Sequence, residues 1–317
     1  MSRFINPYTD FGFKKLFGEE ANKDLLIDFL NSLLPEKHQI ETLKFRNPDR
    51  LGAAANERRA VFDIYCENAE GEPFIVEMQK EDQEFFKDRS LYYAAYPIRE
   101  QGPKGKIQKQ GQRGQRQEEQ KGQKWNYELK TVYFIAILDF IYDKDDPNPI
   151  LIREVSLKDQ FGKEFYEKLQ LIYIQMPVFK KKESQLKTRQ DKWLYFLQNL
   201  PGLEHIPSMM KEDVFQKAFH TAEVAAMSKT DRDRYEYELK HYWTYWATIE
   251  TAEKRGLEIG EAQGIAKGIA KGIAKGRAEG ETQKATDIAR DMKKDGVDLK
   301  TIARYTGLPL EKVKRLK

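Results

Sequence analysis

The runs Ala60-Val61-Phe62-Asp63-Ile64-Tyr65 and Pro73-Phe74-Ile75-Val76-Glu77-Met78-Gln79 constrain this chain most. Each reads as a β-strand with one acid set among Val, Ile and Phe. A carboxylate buried among such side chains is costly unless something compensates it. The intervening Glu67-Asn68-Ala69-Glu70-Gly71-Glu72 has the length and composition of a turn, so the two runs form an antiparallel hairpin. Strand side chains alternate, which points Glu77 and Gln79 the same way. An Asp on one strand beside Glu-x-polar on the next is a ready site for a divalent cation.

The remaining residues narrow the metal. Cys66 is the single cysteine, which excludes an intrachain disulfide and any cysteine-rich zinc site. His38, His205, His220 and His241 are scattered without ligand spacing. A hard cation on oxygen ligands is what remains.

The chain of 317 residues has room for one large domain with an appendage, or for two domains. Its formal charge of +4 is concentrated in one place. Between Pro103 and Lys124 stand seven basic residues (Lys104, Lys106, Lys109, Arg113, Arg116, Lys121 and Lys124) against Glu118 and Glu119, an excess larger than that of the whole chain. The rest is close to neutral, so global basicity is no argument for nucleic-acid binding. This Gln-, Gly- and Lys-rich segment, apolar only at Ile107, is expected to be a disordered insert over 103–124. It reads either as a basic arm for a phosphate backbone or as a tolerated loop expansion. Charged residues make up 33% of the chain, and mean hydropathy is −0.76. The longest apolar run, Val132 to Tyr142, is broken by Asp139 and too short to span a bilayer. Met1 to Pro7 carries no apolar secretion segment. A cytoplasmic protein without membrane contact is expected.

Along the chain, Thr9 to Leu34 reads as a helix, capped by Thr9 or Asp10, bent or divided at Gly18 and ended by Pro35. Ile40 to Phe45 is a first strand, and the two motif strands follow. Asp82 to Gln101 is a helix. Leu129 to Phe140 is a fully apolar strand suited to a central position. Ile150 to Leu157 and Leu169 to Phe179 are two more strands. Helices are expected over Gln190 to Leu200, Lys211 to Met227 and Asp231 to Arg255.

The order α-β-β-β-α-β, the Asp closing the second strand and the Glu-x-Gln on the third resemble the PD-(D/E)xK nuclease superfamily. More narrowly, four stretches resemble the recombination-promoting nuclease/putative transposase family, over about residues 5 to 255. They are Thr9-Asp10-Phe11-Gly12-Phe13-Lys14-Lys15-Leu16-Phe17-Gly18, Val61-Phe62-Asp63-Ile64-Tyr65-Cys66, Phe74-Ile75-Val76-Glu77-Met78-Gln79 and Arg89-Ser90-Leu91-Tyr92-Tyr93. The resemblance implies an α/β fold with a restriction-endonuclease-like mixed sheet and a helical C-terminal extension. It also implies a bacterial, metal-dependent DNA endonuclease tied to recombination or phage defence. Double-stranded DNA is then the substrate, and Mg²⁺ or Mn²⁺ the cofactor. Asp63 and Glu77 would hold the metal, which polarises a phosphate oxygen and activates a water. Gln79 stands where the superfamily usually has Lys. It completes the catalytic set and orients the water, and Glu-x-Gln is usual in the narrower family.

Other residues carry two readings each. Asp10 or Glu57 adds a third acid, or Asp10 caps its helix and Glu57 pairs with Arg58 or Arg59. Asp139 reaches the same sheet edge or marks a strand end. Arg89 grips a phosphate, with Tyr93 and Tyr96 on the same helical face, where the tyrosines stack on DNA or pack on the sheet. Lys14 and Lys15 contact phosphate or lie on a solvated face.

Glycine recurs every fourth residue from Gly256 to Gly280, around three copies of Gly-Ile-Ala-Lys. The spacing fits a helix, although each Gly costs it about 1 kcal/mol relative to Ala. The segment reads as a homodimerisation stalk or as a linker grown by repeat expansion. Beyond it, Ala285 to Lys294, Leu299 to Tyr305 and Pro309 to Leu316 suggest three short helices. Thr301 to Val313 looks like a helix-turn-helix core whose Arg304, Lys312, Lys314, Arg315 and Lys317 meet DNA.

The expected organisation is a nuclease-like core over 1–180 and a helical extension packed on it over 181–255. A Gly-every-four helical linker over 256–283 and a helix-turn-helix-like tail over 284–317 follow. The expected activity is Mg-dependent hydrolysis of DNA phosphodiester bonds. The competing reading is a non-catalytic DNA-binding or protein-interaction member of the same fold.

Overall fold

A computed structural model describes residues 2–46, 62–102 and 126–316. Glu57, the Ala60-Val61 start of the first motif run and the basic insert over 103–124 lie outside the described residues. Among the described residues, no helix is long and apolar enough to cross a membrane. The chain forms two compact units, residues 1–242 and 243–317.

The first unit is built on a mixed six-stranded sheet in the order β1-β2-β3-β4-β6-β5. The strands are β1 (Leu43–Phe45), β2 (Ile64–Asn68), β3 (Pro73–Gln79), β4 (Val132–Leu138), β5 (Ile152–Lys158) and β6 (Glu164–Gln175). β1 and β2, and β2 and β3, pair antiparallel; β3, β4 and β6 are mutually parallel, and β5 returns antiparallel to β6. All seven residues of β4 are buried, as its unbroken Val-Tyr-Phe-Ile-Ala-Ile-Leu run requires of a strand covered on both faces. The helix α3 (Phe86–Glu100) crosses over between the parallel strands β3 and β4. It sets Phe86 and Ala94 against Ile75, Phe134, Ala136, Leu138 and Tyr173 on one sheet face. From the other side of the pleat, Phe74 stacks on Tyr133 at 4.4 Å and 4°.

The single long N-terminal helix expected from Thr9 to Leu34 divides at Gly18 into α1 (Asp10–Phe17) and α2 (Lys23–Leu33), with a 3₁₀ turn over Glu20–Asn22 between them. With α4 (Arg189–Asn199) and α5 (Asp213–Ala222), α1 and α2 share an aromatic cluster around Trp193. Its indole lies 5.6 Å from Phe17, 5.9 Å from Phe29 and 4.9 Å from Phe215, and donates to Asp28 at 2.6 Å.

Three expectations need correction. The first motif strand, β2, begins at Ile64, so Asp63 precedes it rather than lying inside it. The cause is local: the Asp63 N–H goes to a side chain instead of the ladder. β6 starts at Glu164, before the expected Leu169, because its exposed polar half pairs with β5 through backbone bonds that hydrophobicity does not report. The helix expected to end at Arg255, the linker and the helix over Ala285 to Lys294 are one continuous helix, α6 (Lys229–Lys294).

The second unit has its own small core. Ala289, Ile302, Leu308 and Val313 are buried where the end of α6 meets α7 (Leu299–Thr306) and α8 (Leu310–Arg315). Asp298 caps α7 by accepting from Lys300 and Thr301, at 3.1 and 3.2 Å. Gly307 ends α7 at φ 69°, in the left-handed conformation that a side chain disfavours. Lys293 Nζ donates to the carbonyls of Lys314 and Leu316 at 3.0 and 2.7 Å, satisfying the free end of α8. Three short helices were expected; α7 and α8 are two of them, and the third is the end of α6.

Along α6, Ile265, Ile269 and Ile273 are exposed, and a Cβ built on any glycine from Gly256 to Gly280 meets nothing within 4 Å. Alanine there then removes only the helical penalty of glycine. Changing Gly264, Gly268 and Gly272 together to Ala is expected to stabilise this stretch by about 1 kcal/mol per site and to slow its amide hydrogen exchange in the full chain. Faster exchange would mean that a second helix packs against the glycines.

Candidate active site

The site begins with the β2–β3 hairpin. Gly71, at φ 76°, turns it, and the side chain of Asn68 ties the corner by accepting from the Glu72 N–H at 2.8 Å. The register pairs Ile64 with Val76, which brings Asp63 opposite Glu77. The two acids then bind each other's strands. Asp63 N–H donates to Glu77 Oε1 at 3.1 Å, and Met78 N–H donates to Asp63 Oδ2 at 2.7 Å. Two side-chain bonds thus continue the ladder where regular pairing stops, and they fix both carboxylates to the backbone.

The electrostatic cost is visible in both groups. Glu77 is only 2% exposed. Burial, and then the charge of Asp63, hold its carboxyl well above the usual carboxylate range. Burial likewise pushes Asp63 up to about 6, against the Met78 N–H that favours its charged form. Arg89 and Lys14 pull both groups down without overcoming burial.

Gln79 lies two residues on from Glu77 and is 8% exposed. Its Nε2 donates to Glu77 Oε2 at 2.9 Å, and its Oε1 accepts from Arg89 Nη2. The expected common direction of Glu77 and Gln79 is what allows this bond. Arg89 comes from the first turns of α3, donates also to Gln83 Oε1 at 2.6 Å, and lies 5.3 Å over the Tyr93 ring. Tyr93 meets Phe62 edge to face at 5.2 Å and is half-buried, and Tyr96 packs against Phe62 and Tyr65. Both tyrosines therefore belong to the packing under α3.

α1 brings Asp10 and Lys14. Thr9, not Asp10, caps it, its Oγ1 accepting from Gly12 N–H at 3.0 Å. Gly12 is needed because a Cβ there would lie 2.1 Å from the Asn6 carbonyl. Asp10 pairs with Lys14 at 2.6 Å and lies 3.8 Å from Arg234, and its charge raises Asp63. At the end of β4, Asp139 N–H donates to the Gln79 carbonyl at 2.9 Å, and burial pushes its carboxyl up to about 6. Its charge also reaches the buried phenol of Tyr8, which makes no hydrogen bond among the described residues. Sequence reading missed Tyr8 and Arg234, since only the fold carries them to this end of the sheet. Arg304 is exposed on α7 in the second unit.

Among the described residues, no three or more His, Cys, Asp or Glu side chains gather as a metal cluster. The donors that do converge are two carboxylates fixed by backbone N–H groups, with a charge that their surroundings leave under-compensated. That donor set fits one hard divalent cation.

A family model for PD-(D/E)XK nuclease family transposases matches residues 7–252, which include every residue of this hairpin, α1 and α3. No curated protein and no solved structure matches the chain.

The raised carboxyls fix the sign of a pH effect. An acid whose folded pKa lies above its unfolded value binds more protons when folded, so stability falls as pH rises from the unfolded pKa, near 4, through the folded one, about 6 for Asp63. In metal-free buffer, urea unfolding is expected to show this fall, by about 2–3 kcal/mol. Asp63→Asn is expected to flatten it and to be more stable than the parent at pH 7. An unchanged profile in the variant would contradict the charge pair.

Proposed function

We propose that this chain, which belongs to the PD-(D/E)XK nuclease family transposases, is a metal-dependent DNA endonuclease. The observation that carries the reading is the reciprocal bonding of Asp63 and Glu77 across the hairpin, which presents two carboxylates together at one place. Membership supports a nuclease-like or transposase-like function, and nucleases of this kind generally use divalent ions. The finer reading is phosphodiester hydrolysis in double-stranded DNA with Mg²⁺ or Mn²⁺.

Asp63 and Glu77 would hold the ion. When bound, it supplies a Lewis acid for a phosphate oxygen and lowers the pKa of the attacking water. The protein's own groups divide the remaining work. Glu77 keeps its carboxylate aimed by accepting from Asp63 N–H and Gln79 Nε2. Gln79 is a neutral amide, so it orients by donation and does not take up a proton at neutral pH. One Nε2 hydrogen is committed to Glu77, and the other is a donor for a water or a phosphate oxygen. Lys14 has its ammonium on Asp10 and its field at both carboxylates, which suits contact with a DNA phosphate. Arg304, on the second unit, serves as a further phosphate contact that adds affinity without sequence reading.

One observation favours a non-catalytic reading. Position 79 carries an amide where an ammonium would stabilise charge. Cleavage separates the two. Purified protein with Mg²⁺ is expected to nick supercoiled plasmid, EDTA to stop it, and Asp63→Ala or Glu77→Ala to slow it by about 10³-fold or more, the scale of several kcal/mol of lost charge stabilisation. DNA binding without cleavage in any divalent metal would establish the non-catalytic reading instead.

A further inference from the structure

We propose that Arg89 is a positioning residue that orients the Gln79 amide toward Glu77, and that it is not a contact to DNA phosphate. The proposal rests on the endonuclease reading for the chemistry it serves, and on geometry alone for the orientation.

The hydrogen-bond chain Arg89–Gln79–Glu77 has only one polarity. A guanidinium can only donate, so whatever it bonds must accept. The amide between them must therefore turn Oε1 to Arg89 and Nε2 to Glu77, as it does. An amide alone has two nearly isosteric orientations, and the wrong one would set a carbonyl oxygen against Glu77. Arg89 is itself held on three sides. Nη2 goes to Gln79, Nη1 to Gln83 at 2.6 Å, and the guanidinium plane lies over Tyr93 at 5.3 Å. Tyr93 is in turn wedged against Phe62 at 5.2 Å. A planar, forked donor can occupy all these contacts at once, whereas a lysine offers a point charge without the fork.

The pair also divides between two residues what one lysine at position 79 would do. Gln79 supplies the hydrogen bond to Glu77. Arg89 supplies the positive charge one amide further away, where it lowers both carboxylates. A phosphate-gripping arginine would instead present a free fork to solvent.

Three readouts on Arg89→Ala and Arg89→Lys in the full chain test this. The first is the salt dependence of duplex DNA binding in EDTA. A positioning residue leaves the slope unchanged, whereas losing a phosphate contact reduces it by about one. The second is turnover in Mg²⁺. The expected result is a kcat loss on the order of 10²-fold with KM for DNA unchanged, the scale of a misplaced catalytic group. The double variant Arg89→Gln with Gln79→Lys, which moves the charge beside Glu77, is expected to recover most of it. The third is the side-chain amide resonance of Gln79 in ¹⁵N-glutamine-labelled protein, assigned by its loss in Gln79→Glu. Both Arg89 variants are expected to shift it. A slope lowered by about one, full turnover in Arg89→Ala, or an unshifted resonance would each overturn the proposal. If the parent protein neither cleaves nor binds DNA, the endonuclease reading fails by itself, and the resonance still decides the role of Arg89. Should Arg89→Ala not fold, Arg89→Gln, which also removes the charge, carries the same three readouts.

Discussion

Asp63 and Glu77 repel one another across an antiparallel ladder, in surroundings too dry to screen them. Two backbone N–H bonds, one from each strand, hold them there regardless. Burial lifts both carboxyls, joined by the charge of Asp63 at Glu77 and that of Asp10 at Asp63, so the hairpin keeps its geometry at the expense of stability near neutral pH. Structures retain such costs at sites that act on something. In the proposed reading the compensating partner is a divalent cation.

The rest of the first unit makes that hairpin rigid and brings charge to it. The all-apolar β4 runs parallel beside β3 and pairs Glu77 with Ala136, a small residue that leaves room for the acid. From one element, α1, come Asp10 and Lys14, with the helix start fixed by Thr9 and by the close approach of Gly12 to Asn6. From another, α3, comes Arg89, whose fork is taken up by two glutamines and whose plane rests on Tyr93. Opposite charges therefore approach the acid pair from two separate helices, both outside the sheet, and neither neutralises it.

Much of this was legible in the sequence because it rests on short-range periodicity. The alternation Val76-Glu77-Met78-Gln79 placed Glu77 and Gln79 on one face before any fold was known, and the unbroken Val132–Leu138 run announced a central strand. Gly18 was readable as a division of the first helix. What stayed hidden depends on contacts distant in sequence. Asp63 reads as a strand residue by hydrophobicity, yet it stands one residue before β2 because its N–H bonds a side chain. The exposed half of β6 has no apolar signal at all. The glycine repeat was readable as helical from its spacing of four, but nothing local showed that it joins the helices on either side into one, α6, running on to Lys294. Arg89 could be singled out by its helical spacing, though nothing local says that it would turn to Gln79.

The central claim is that the Asp63–Glu77 pair is a cation site. Calorimetric titration of Mn²⁺ into the metal-free protein at pH 7 tests it most directly, alongside Glu77→Gln. The account expects saturable binding in the parent that is lost in the variant, since Gln keeps the shape of Glu77 and removes one of the two charges. Equal binding in both proteins, or none in the parent, would contradict it.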